Sequence, residues 1–311
     1  PLANLDTAGA EMLMSTLKSL AKAGYCIVVI EHRLDVVLPF VDKVFHVGGK
    51  RVREIKDKES YLKEQSVKIC DSCAVFCGGQ PVFSLSDVAF SVKDRVILNG
   101  VAFDILKGSR TVLFGENGCG KTTLLRLISR LEKPTRGVIL QNISGKFGQK
   151  SKQSKKWYKK VGVVYQNPDY QLFMPTVEKE IKFGAKSDEY ADEIAEKFGV
   201  KHLYVRHPQS LSEGQKRRVS IAAVVATAPE VLILDEPTVG QDYKGLCEMT
   251  EVLNRIHEET KNTMITVTHD KRCAAALCDR AVWIKDGKVR KTGGKELAEE
   301  FFKDPTGNAK N

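Results

Sequence analysis

The segment GENGCGKTT, residues 115–123, constrains the fold more than any other part of the chain. It fits the pattern G-x-x-x-x-G-K-[ST] and lies between the apolar segments TVLFG (111–115) and LLRLISRL (124–131). A strand that passes through a glycine-rich turn into a helix forms a phosphate-binding loop, because crowded backbone N–H groups and the helix dipole both attract an anion. The alternative is a glycine-rich turn that merely joins the two elements, and the strand and helix on either side argue against it.

Three side chains of this loop have predicted properties of their own. We expect Lys121 to pair with the β- and γ-phosphates of a nucleotide and the Thr122 hydroxyl to bind Mg²⁺. Cys119 lies beside Lys121 and a helix N-terminus, both of which favour a thiolate, so a reactive thiol is expected. The predicted nucleotide contacts in the loop are Gly115, Glu116, Asn117, Gly118, Cys119, Gly120, Lys121, Thr122 and Thr123.

A second motif, VLILDE (231–236), ends an apolar segment with two carboxylates. Apolar strands that end in Asp-Glu are common, but this one follows the phosphate loop within the same α/β pattern. We therefore predict that Asp235 reaches the Mg²⁺ shell and that Glu236 polarises a water molecule.

Four apolar strand segments alternate with helical segments in this part of the chain. They are TVLFG (111–115), VGVVYQ (161–166), VLILDE (231–236) and MITVTH (264–269). This alternation predicts an α/β fold with a mostly parallel sheet, as in the P-loop NTPases.

The segment LSEGQKRRVSIA (211–222) narrows the choice of family. Its Ser-x-Gly-Gln turn leads into a helix and presents a hydroxyl, backbone N–H groups and a helix dipole to an anion. Together with the preceding motifs it resembles the signature of ABC-type ATPases, and the resemblance covers nearly all of residues 81–290. It implies a RecA-like sheet with an antiparallel β-subdomain and a helical subdomain, Mg²⁺-dependent ATP hydrolysis, and the pairing of two ATPase domains. The signature residues would be Leu211, Ser212, Glu213, Gly214 and Gln215, with Glu213 where the family usually has glycine.

The same resemblance assigns roles to three further residues. Gln166 is similar to the Q-loop glutamine, which touches Mg²⁺ and signals to a membrane partner, so the implied Mg²⁺ ligands are Thr122, Gln166 and Asp235. Asp242 resembles the D-loop aspartate. His269 resembles the switch histidine near the γ-phosphate and would act with Glu236 in catalysis. In the adenine-stacking position, where the family has an aromatic residue, this chain has Val92, which predicts weak discrimination between nucleotides.

The first fifty residues repeat a pattern found near the end of the chain. The matching pairs are PLANLD (1–6) with PTVGQD (237–242) and YCIVVIEHRLD (25–35) with NTMITVTHDKR (262–272). By this match Asp6 resembles the D-loop aspartate and His32 the switch histidine of a first ABC ATPase domain. We therefore expect an N-terminally truncated fragment of a tandem ATPase, with the phosphate loop of the first domain upstream of Pro1.

The repeat gives the predicted domain boundaries. They are residues 1–56 for the C-terminal part of a first ABC ATPase domain, 57–80 for a linker, 81–290 for a complete second domain and 291–311 for a tail. Within the first part, residues 9–24 read as an amphipathic helix and residues 26–30 as a buried strand.

The segments YQNPDYQLF (165–173) and TVEKEIKFG (176–184) resemble the ATPases of energy-coupling factor (ECF) and cobalt-type importers. That resemblance implies polytopic membrane subunits as partners, uptake of vitamins or metal ions, and a peripheral position on the cytoplasmic face of the membrane. The alternative is a soluble tandem ABC ATPase that acts on ribosomes, with the basic run at 146–160 as its RNA contact. That run lacks arginine and falls where ABC domains carry a variable loop, so no nucleic-acid partner is expected.

Composition limits the remaining possibilities. The net charge of +10 permits an anionic partner without choosing one, and the longest apolar runs are too short to cross a bilayer. The eight cysteines are scattered, which favours reduced thiols over a disulfide framework. Cys70, Cys73 and Cys77 form a C-x2-C-x3-C group that lacks a nearby fourth ligand, so small linker residues are favoured over a metal site. The transported solute is not encoded in this chain.

Overall fold

The computed structural model describes Leu2, Leu5 and residues 7–64, 79–143, 146–148 and 155–303. The predictions for Asp6 and for the cysteine group at 70–77 lie outside these residues. Most of the basic run at 146–160 also lies outside them or has side chains that are not described.

Residues 7–64 contain three helices and one two-stranded antiparallel sheet. The elements are α1 (Thr7–Lys22), α2 (Leu34–Val37), β1 (Val44–Gly48), β2 (Arg51–Ile55) and α3 (Lys58–Glu64). The amphipathic helix predicted over residues 9–24 is present as α1, which buries Ala10 and Met14 against Leu2 and α2. Helix α3 lies within the segment that the sequence predicts to be a linker.

The buried strand predicted over residues 26–30 is wrong. This segment has no strand pairing in the structure, and Val28 and Ile30 are 85% and 83% exposed. Its counterpart in the sequence repeat, residues 263–267, lies between two parallel strands that satisfy its backbone. In the described part of residues 1–64 the only strands are β1 and β2, which pair with each other, so an apolar sequence alone does not produce a strand here.

Residues 79–303 contain the remaining strands and helices. The strands are β3 (Pro81–Val92), β4 (Arg95–Leu106), β5 (Arg110–Phe114), β6 (Arg136–Ile143), β7 (Lys146–Gly148), β8 (Val161–Val164), β9 (Val231–Asp235), β10 (Thr263–Val267), β11 (Arg280–Lys285) and β12 (Lys288–Gly293). The helices are α4 (Lys121–Ile128), α5 (Lys155–Tyr158), α6 (Val177–Lys182), α7 (Asp188–Lys197), α8 (Glu213–Ala226), α9 (Tyr243–Thr260), α10 (Lys271–Leu277) and α11 (Lys295–Lys303).

The central sheet has six strands in the order β12-β11-β5-β10-β9-β8. All its neighbours are parallel except β11 and β12, which form an antiparallel hairpin at one edge. Every residue of β5, β9 and β10 is buried, as expected for central strands covered on both faces. The prediction of a mostly parallel α/β sheet is confirmed.

A second sheet is antiparallel, with the order β4-β3-β6-β7. Its apolar face shares one core with helix α4 and one face of the central sheet, through residues such as Phe83, Leu98 and Leu124. A separate core joins α6, α7 and α8 to β8, β9 and α9, so the helical segment that contains the signature packs directly on the central sheet. The structure thus has the antiparallel and helical parts that the resemblance implies.

The parallel pairing determines where functional side chains meet. The carboxyl ends of β5, β8, β9 and β10 lie at one edge of the sheet because neighbouring parallel strands end on the same side. The phosphate loop follows β5 and Glu236 follows β9 at this edge. Gln166 and His269 each come two residues after the end of their strands, β8 and β10.

Candidate nucleotide site

The phosphate loop has a backbone that only glycine can adopt at two of its positions. Gly115 has φ +155°, and a Cβ there would lie 2.1 Å from the Ile284 carbonyl oxygen of the neighbouring strand. Gly120 has φ +103°, and a Cβ there would lie 2.6 Å from a methyl group of Leu98. Any side chain would therefore push the loop away from β11 or β4. These contacts fix the loop so that α4 begins at Lys121 directly above the end of β5.

Lys121 is buried and folds back over the loop. Its ammonium group donates hydrogen bonds to the carbonyl oxygens of Gly115 (2.7 Å) and Glu116 (2.9 Å). The positive charge thus lies at the centre of the loop, beside the N-terminus of α4, where a phosphate group would be attracted by both.

Cys119 corrects a prediction. The thiol is buried, and burial raises its pKa, although the Lys121 ammonium 3.9 Å from the sulfur acts in the opposite direction. Desolvation is the larger of the two effects, so the thiol is held in its neutral form. The sequence shows the neighbouring lysine and the helix N-terminus, but it does not show that the sulfur faces the core.

Asp235 and Thr122 form the part of the site that could hold a divalent cation. The Thr122 hydroxyl donates a hydrogen bond of 3.4 Å to Asp235 Oδ2. Burial, and then the neighbouring Glu236 carboxylate, raise the pKa of Asp235 to about 6. Oδ1 of Asp235 is buried and has no hydrogen-bond partner in the described part of the chain. An unpaired carboxylate oxygen beside a hydroxyl suits Mg²⁺, which binds hard oxygen ligands.

The remaining Mg²⁺ ligands would have to come largely from outside the protein. The described residues contain no group of three His, Cys, Asp or Glu side chains arranged to hold a metal ion. This composition fits Mg²⁺ that arrives with a nucleotide, since such ions use one or two protein ligands together with phosphate oxygens and water. Gln166 lines the same cavity and could add an amide oxygen.

Glu236 and His269 form a largely buried pair beside Asp235 and Thr122, the residues that could hold a divalent cation. Nδ1 of His269 lies 2.6 Å from Oε1 of Glu236, and the backbone N–H of His269 donates to Oε2 at 3.3 Å. Glu236 has φ +51°, a left-handed conformation that glutamate rarely adopts. Its backbone N–H donates to the carbonyl of Val267 in β10, which holds this conformation in place. The pair is therefore fixed in orientation, as a carboxylate that must polarise a water molecule requires.

One cavity of about 590 Å³ collects these groups. Of the residues predicted for the nucleotide, Mg²⁺ and catalysis, all except Gly115 line it, and Gly115 contributes the carbonyl that binds Lys121. The lining residues are Arg95, Val96, Ile97, Glu116, Asn117, Gly118, Cys119, Gly120, Lys121, Thr122, Thr123, Gln166, Asp235, Glu236, Val267, His269, Asp286 and Gly287.

Six of these residues were not predicted: Val267 at the end of β10, and five residues from two turns that are distant in sequence. Arg95, Val96 and Ile97 begin β4, and Asp286 and Gly287 form the turn between β11 and β12. The backbone N–H of Asn99 donates to the Gly287 carbonyl, which joins the two turns at the cavity wall. No local sequence pattern marks them, because they reach the cavity only through the pairing of separate sheets.

Val92, the residue in the adenine-stacking position, is exposed and does not line this cavity. Phe90 is partly buried and packs against the core shared by the two sheets. The cavity wall nearest to this hairpin is formed instead by Arg95, which is the register partner of Val92 across the β3–β4 turn.

The signature residues lie on a different surface from the cavity. Ser212 caps α8: its hydroxyl accepts from the backbone N–H of Gln215 (3.4 Å), and the Gln215 side chain accepts from the backbone N–H of Ser212 (3.1 Å). Leu211 is buried, Glu213 is exposed, and the Gly214 carbonyl accepts a hydrogen bond from Gln241 (3.1 Å). None of the five residues lines the cavity described above.

The other two predicted residues are also outside the cavity. Asp242 caps α9 by accepting a hydrogen bond from the backbone N–H of Gly245 at 2.7 Å. His32 is exposed, and its backbone N–H donates to Glu31. The roles expected of Asp242 and His32 as D-loop and switch residues remain predictions.

Comparisons with known proteins agree with this arrangement. The family model described as ABC transporter matches residues 98–239. The ECF transporter ATP-binding protein EcfA2 of Enterococcus faecalis is 41% identical over 61% of this chain and 69% of its own length. The putative HMP/thiamine import ATP-binding protein YkoD of Bacillus subtilis is 30% identical over 92% of this chain.

Two solved structures share the fold. CbiO1 from Clostridium perfringens, part of the ABC transporter complex cbiONQ, has a TM-score of 0.62 and 31% identity, and the match covers 72% of this chain and 91% of that one. An ATP-binding cassette in a dimeric post-hydrolysis state bound to ADP and Pi has a TM-score of 0.60 and 26% identity, over 68% of this chain and 98% of that one.

The match to YkoD covers only 59% of that relative, so this chain spans little more than half of its length. The match to the EcfA2 protein of Halalkalibacterium halodurans, at 38% identity, covers 76% of that shorter relative. Among the described residues no helix combines the length and the apolar character needed to cross a membrane. From the matched motifs, the fold and these identities, the chain belongs to the ABC transporter family of ATPases.

Proposed function

We propose that this chain binds Mg-ATP and hydrolyses it as one member of a pair of ATPase domains that drives import through separate membrane subunits. The observation that carries the proposal is the convergence of Lys121, the Asp235–Thr122 pair and the Glu236–His269 pair in one cavity. Phosphate binding, a cation site and an oriented carboxylate are the three parts that phosphoryl transfer to water requires.

Each side chain has a distinct task in this reaction. Lys121 exchanges its carbonyl partners for β- and γ-phosphate oxygens, while the loop N–H groups and the α4 dipole hold the rest of the phosphate chain. Asp235, Thr122 and Gln166 would hold Mg²⁺. When bound, Mg²⁺ neutralises phosphate charge and polarises the γ-phosphoryl group. Glu236 accepts a hydrogen bond from the attacking water and aligns it with the γ-phosphorus.

His269 orients Glu236 and supplies a donor near the γ-phosphate. With Nδ1 against Glu236 Oε1, the other ring nitrogen points away from the carboxylate and is free to face a phosphate oxygen.

The position of the signature supports pairing between two ATPase domains. Ser212 and the N-terminus of α8 form an anion-binding arrangement, yet they do not line the cavity that contains Lys121. A phosphate bound at that arrangement would have to be held by another domain. The solved relative bound to ADP and Pi is dimeric, which is in accord with this proposal.

An aromatic surface, formed by Tyr170, Phe173 and Phe183, supports a membrane partner. Each of these side chains is more than half exposed, and Phe173 and Phe183 pack edge to face at 5.4 Å. The buried Glu180 carboxylate accepts hydrogen bonds from the backbone N–H groups of Phe173 (2.9 Å) and Met174 (2.7 Å), which holds the loop in one conformation. An ordered, exposed aromatic surface is typical of a protein interface. Tyr170 and Phe173 lie four and seven residues after Gln166, so docking at this surface would act on the segment that reaches the nucleotide site.

The relatives guide the choice of transport system. EcfA2 is named as an ATP-binding protein of an ECF transporter, and YkoD as one for HMP/thiamine import. We propose that this chain serves an ECF-type importer at the membrane surface, with the solute selected by the other subunits.

Hydrolysis against protein concentration tests the proposal. We expect the rate of phosphate release to rise with the square of protein concentration at the dilute end, because two chains must pair. Glu236→Gln should remove hydrolysis and retain ATP binding, since the phosphate contacts remain. The matched control is Glu230→Gln at the opposite end of β9, where the carboxylate pairs with Lys160 at the surface. Failure of the wild-type chain to bind Mg-ATP, or activity unaffected by Glu236→Gln, would overturn the proposal.

A cross-linking experiment tests the membrane partner separately. A photoreactive amino acid at Phe173 should give an adduct with a polytopic membrane protein in cells that produce the chain. The same substitution at Leu131, an exposed apolar residue of the segment after α4, is the control. Equal adducts from both positions, or none from Phe173, would count against docking at the aromatic surface.

A further inference from the structure

Two consecutive cations of α8 reach the segment that carries Gln166. Lys216, which is 7% exposed, lies 2.9 Å from Asp169 Oδ1. Arg217, which is 4% exposed, donates from Nη1 to the Tyr165 carbonyl at 2.9 Å and from Nη2 to the Gln166 carbonyl. The start of the signature helix is thereby attached to both ends of the segment 165–169.

The burial of Arg217 needs a reason, because an unpaired charge in a protein interior is strongly destabilising. Its two terminal nitrogens bind two backbone carbonyls that a shorter or singly donating side chain could not bind together, whereas its buried Nε has no hydrogen-bond partner in the described part of the chain. Burial lowers the pKa of its guanidinium, and the carboxylates of Asp235, Glu213 and Glu236 act in the opposite direction. Asp235 and Glu236 belong to the nucleotide site, so the charge of Arg217 lies within electrostatic range of that site.

The neighbouring residue provides a contrast. Arg218 points in another direction and pairs with Glu248 of α9 at 2.7 Å, with both side chains partly exposed. It makes no described contact with the segment 165–169. The link between α8 and Gln166 therefore depends on Lys216 and Arg217 and not on the general positive charge of this helix.

We propose that Lys216 and Arg217 form a clamp that couples the Gln166 segment to the signature turn. Through it, nucleotide binding in the chain's own cavity favours engagement of the signature with a second nucleotide. This inference rests on the proposed pairing of ATPase domains. Arg217 lies two residues after Gln215 in α8, and the Gln215 side chain closes the capping box with Ser212. A shift of the Gln166 backbone toward a bound Mg-nucleotide would move Arg217, and with it the N-terminus of α8, as one rigid element.

The Gly214 carbonyl adds a second attachment to the signature turn. It accepts a hydrogen bond from the buried Gln241 side chain, one residue before the Asp242 cap of α9. The turn is thus held between the clamp on one side and the segment that follows Glu236 on the other. One attachment leads to the segment of Gln166 and the other to the segment after Glu236, so Lys216 and Arg217 are positioning residues, not catalytic ones.

The test separates ATP binding from ATP-dependent pairing. In a Glu236→Gln background, which blocks turnover, we would measure Mg-ATP affinity at a concentration where the chain is monomeric, and then the dissociation constant of the ATP-bound pair by analytical ultracentrifugation. Arg217→Lys should change ATP affinity less than twofold and weaken pairing by tenfold or more. Arg218→Lys, the matched control on the same helix, should leave both quantities unchanged.

A milder variant guards against a folding defect. Asp169→Asn removes the charge of one of the two carboxylates that pair with Lys216, the other being Glu213 at 3.2 Å, and it should weaken pairing by about threefold while ATP affinity stays within twofold of the parent. Combining it with Lys216→Gln should weaken pairing by less than the product of the two single effects, because both changes break the Lys216–Asp169 contact.

The outcomes distinguish the clamp from the proposed function. If the parent chain does not pair with ATP at all, the proposed function fails. If the parent pairs and Arg217→Lys and Asp169→Asn pair equally well, the clamp alone is refuted. A parallel loss of ATP affinity and pairing in both variants would also refute the clamp, since that pattern indicates a purely structural role.

Discussion

Replacing Asp235 by asparagine should make the nucleotide-free protein more stable at neutral pH. The same change should reduce the stabilisation that the protein gains from Mg-ATP. Asp235 is buried, it adjoins Glu236, and its Oδ1 atom has no hydrogen-bond partner in the described part of the chain. Burial and the neighbouring carboxylate raise its pKa from an ordinary value of 3.8 to about 6. Asparagine has the same shape but carries no charge to be desolvated.

The size and sign of the effect follow from that pKa. Because the folded chain holds this proton more tightly than the unfolded chain, ionisation of Asp235 opposes folding above pH 6. The penalty fades as pH falls from 6 to 3.8 and is absent below, where both states are protonated. At pH 8 the penalty is about 3 kcal/mol, since each pKa unit corresponds to roughly 1.4 kcal/mol. Asp235→Asn should therefore stabilise the protein by up to about 3 kcal/mol at pH 8 and by close to nothing at pH 4.

Urea denaturation in EDTA, without nucleotide, at several pH values from 4 to 8 measures this difference. Asp286→Asn is the matched control, because Asp286 lines the same cavity but is exposed at the β11–β12 turn. It should change stability by less than about 0.5 kcal/mol. With Mg-ATP present the order should reverse, as ligand binding then stabilises the wild type more than the variant. A variant less stable than the wild type at pH 8 in EDTA, or a gain that does not depend on pH, would refute the reasoning.

Three further predictions concern the same cavity. Glu236→Gln should prolong the ATP-bound pair at least tenfold over the wild type, because the water is no longer polarised while the phosphate contacts persist; the decay of pairs after dilution measures this, and equal lifetimes would contradict it. Maleimide should modify Cys119 slowly in the native chain and quickly after denaturation, because burial raises the pKa of the thiol, and Mg-ATP should slow native labelling further. Labelling at the same rate with and without nucleotide, followed by mass spectrometry, would show that Cys119 does not adjoin the bound phosphates. GTP should compete within about tenfold of ATP, because none of the described residues that line the cavity is a Phe, Tyr or Trp on which the base could stack. Competition titrations with a fluorescent nucleotide test this statement, and a thousandfold preference for ATP in the wild type would show that another side chain binds the base.

The parts of the site that could be predicted from sequence are those in which a short motif and its flanking elements determine the geometry together. The phosphate loop needs a strand, a set of glycines and a helix, and all three are contiguous between β5 and α4. Glu236 and His269 could be placed near this loop because central parallel strands deliver their carboxyl ends to one edge. In each case the physical rule acts over a few residues or through a regular sheet.

The errors and omissions arise where the outcome depends on contacts between distant segments. The apolar run 26–30 predicts a strand, but pairing partners decide whether a strand forms. Cys119 has the charged neighbours of a reactive thiol, but its burial against the core outweighs them. Arg95 and Gly287 reach the cavity through turns of two different sheets, and Arg217 reaches Gln166 across a gap of 51 residues in sequence. A local sequence pattern does not show such contacts, because the two residues that meet are far apart in the chain.

The least satisfied charged group of the cavity is Asp235, which is buried, has an unpaired oxygen among the described residues and a raised pKa. A divalent cation would relieve that cost, because it supplies positive charge to the carboxylate. Lys121 already binds two carbonyls of its own loop, and a phosphate chain would offer its ammonium negatively charged acceptors in their place. Because a nucleotide with its cation would contact residues on α4 and β9 at once, its binding should stabilise these elements together. Strands β5, β9 and β10 are fully buried. They therefore hold Asp235 and the left-handed Glu236 in place when no nucleotide is bound.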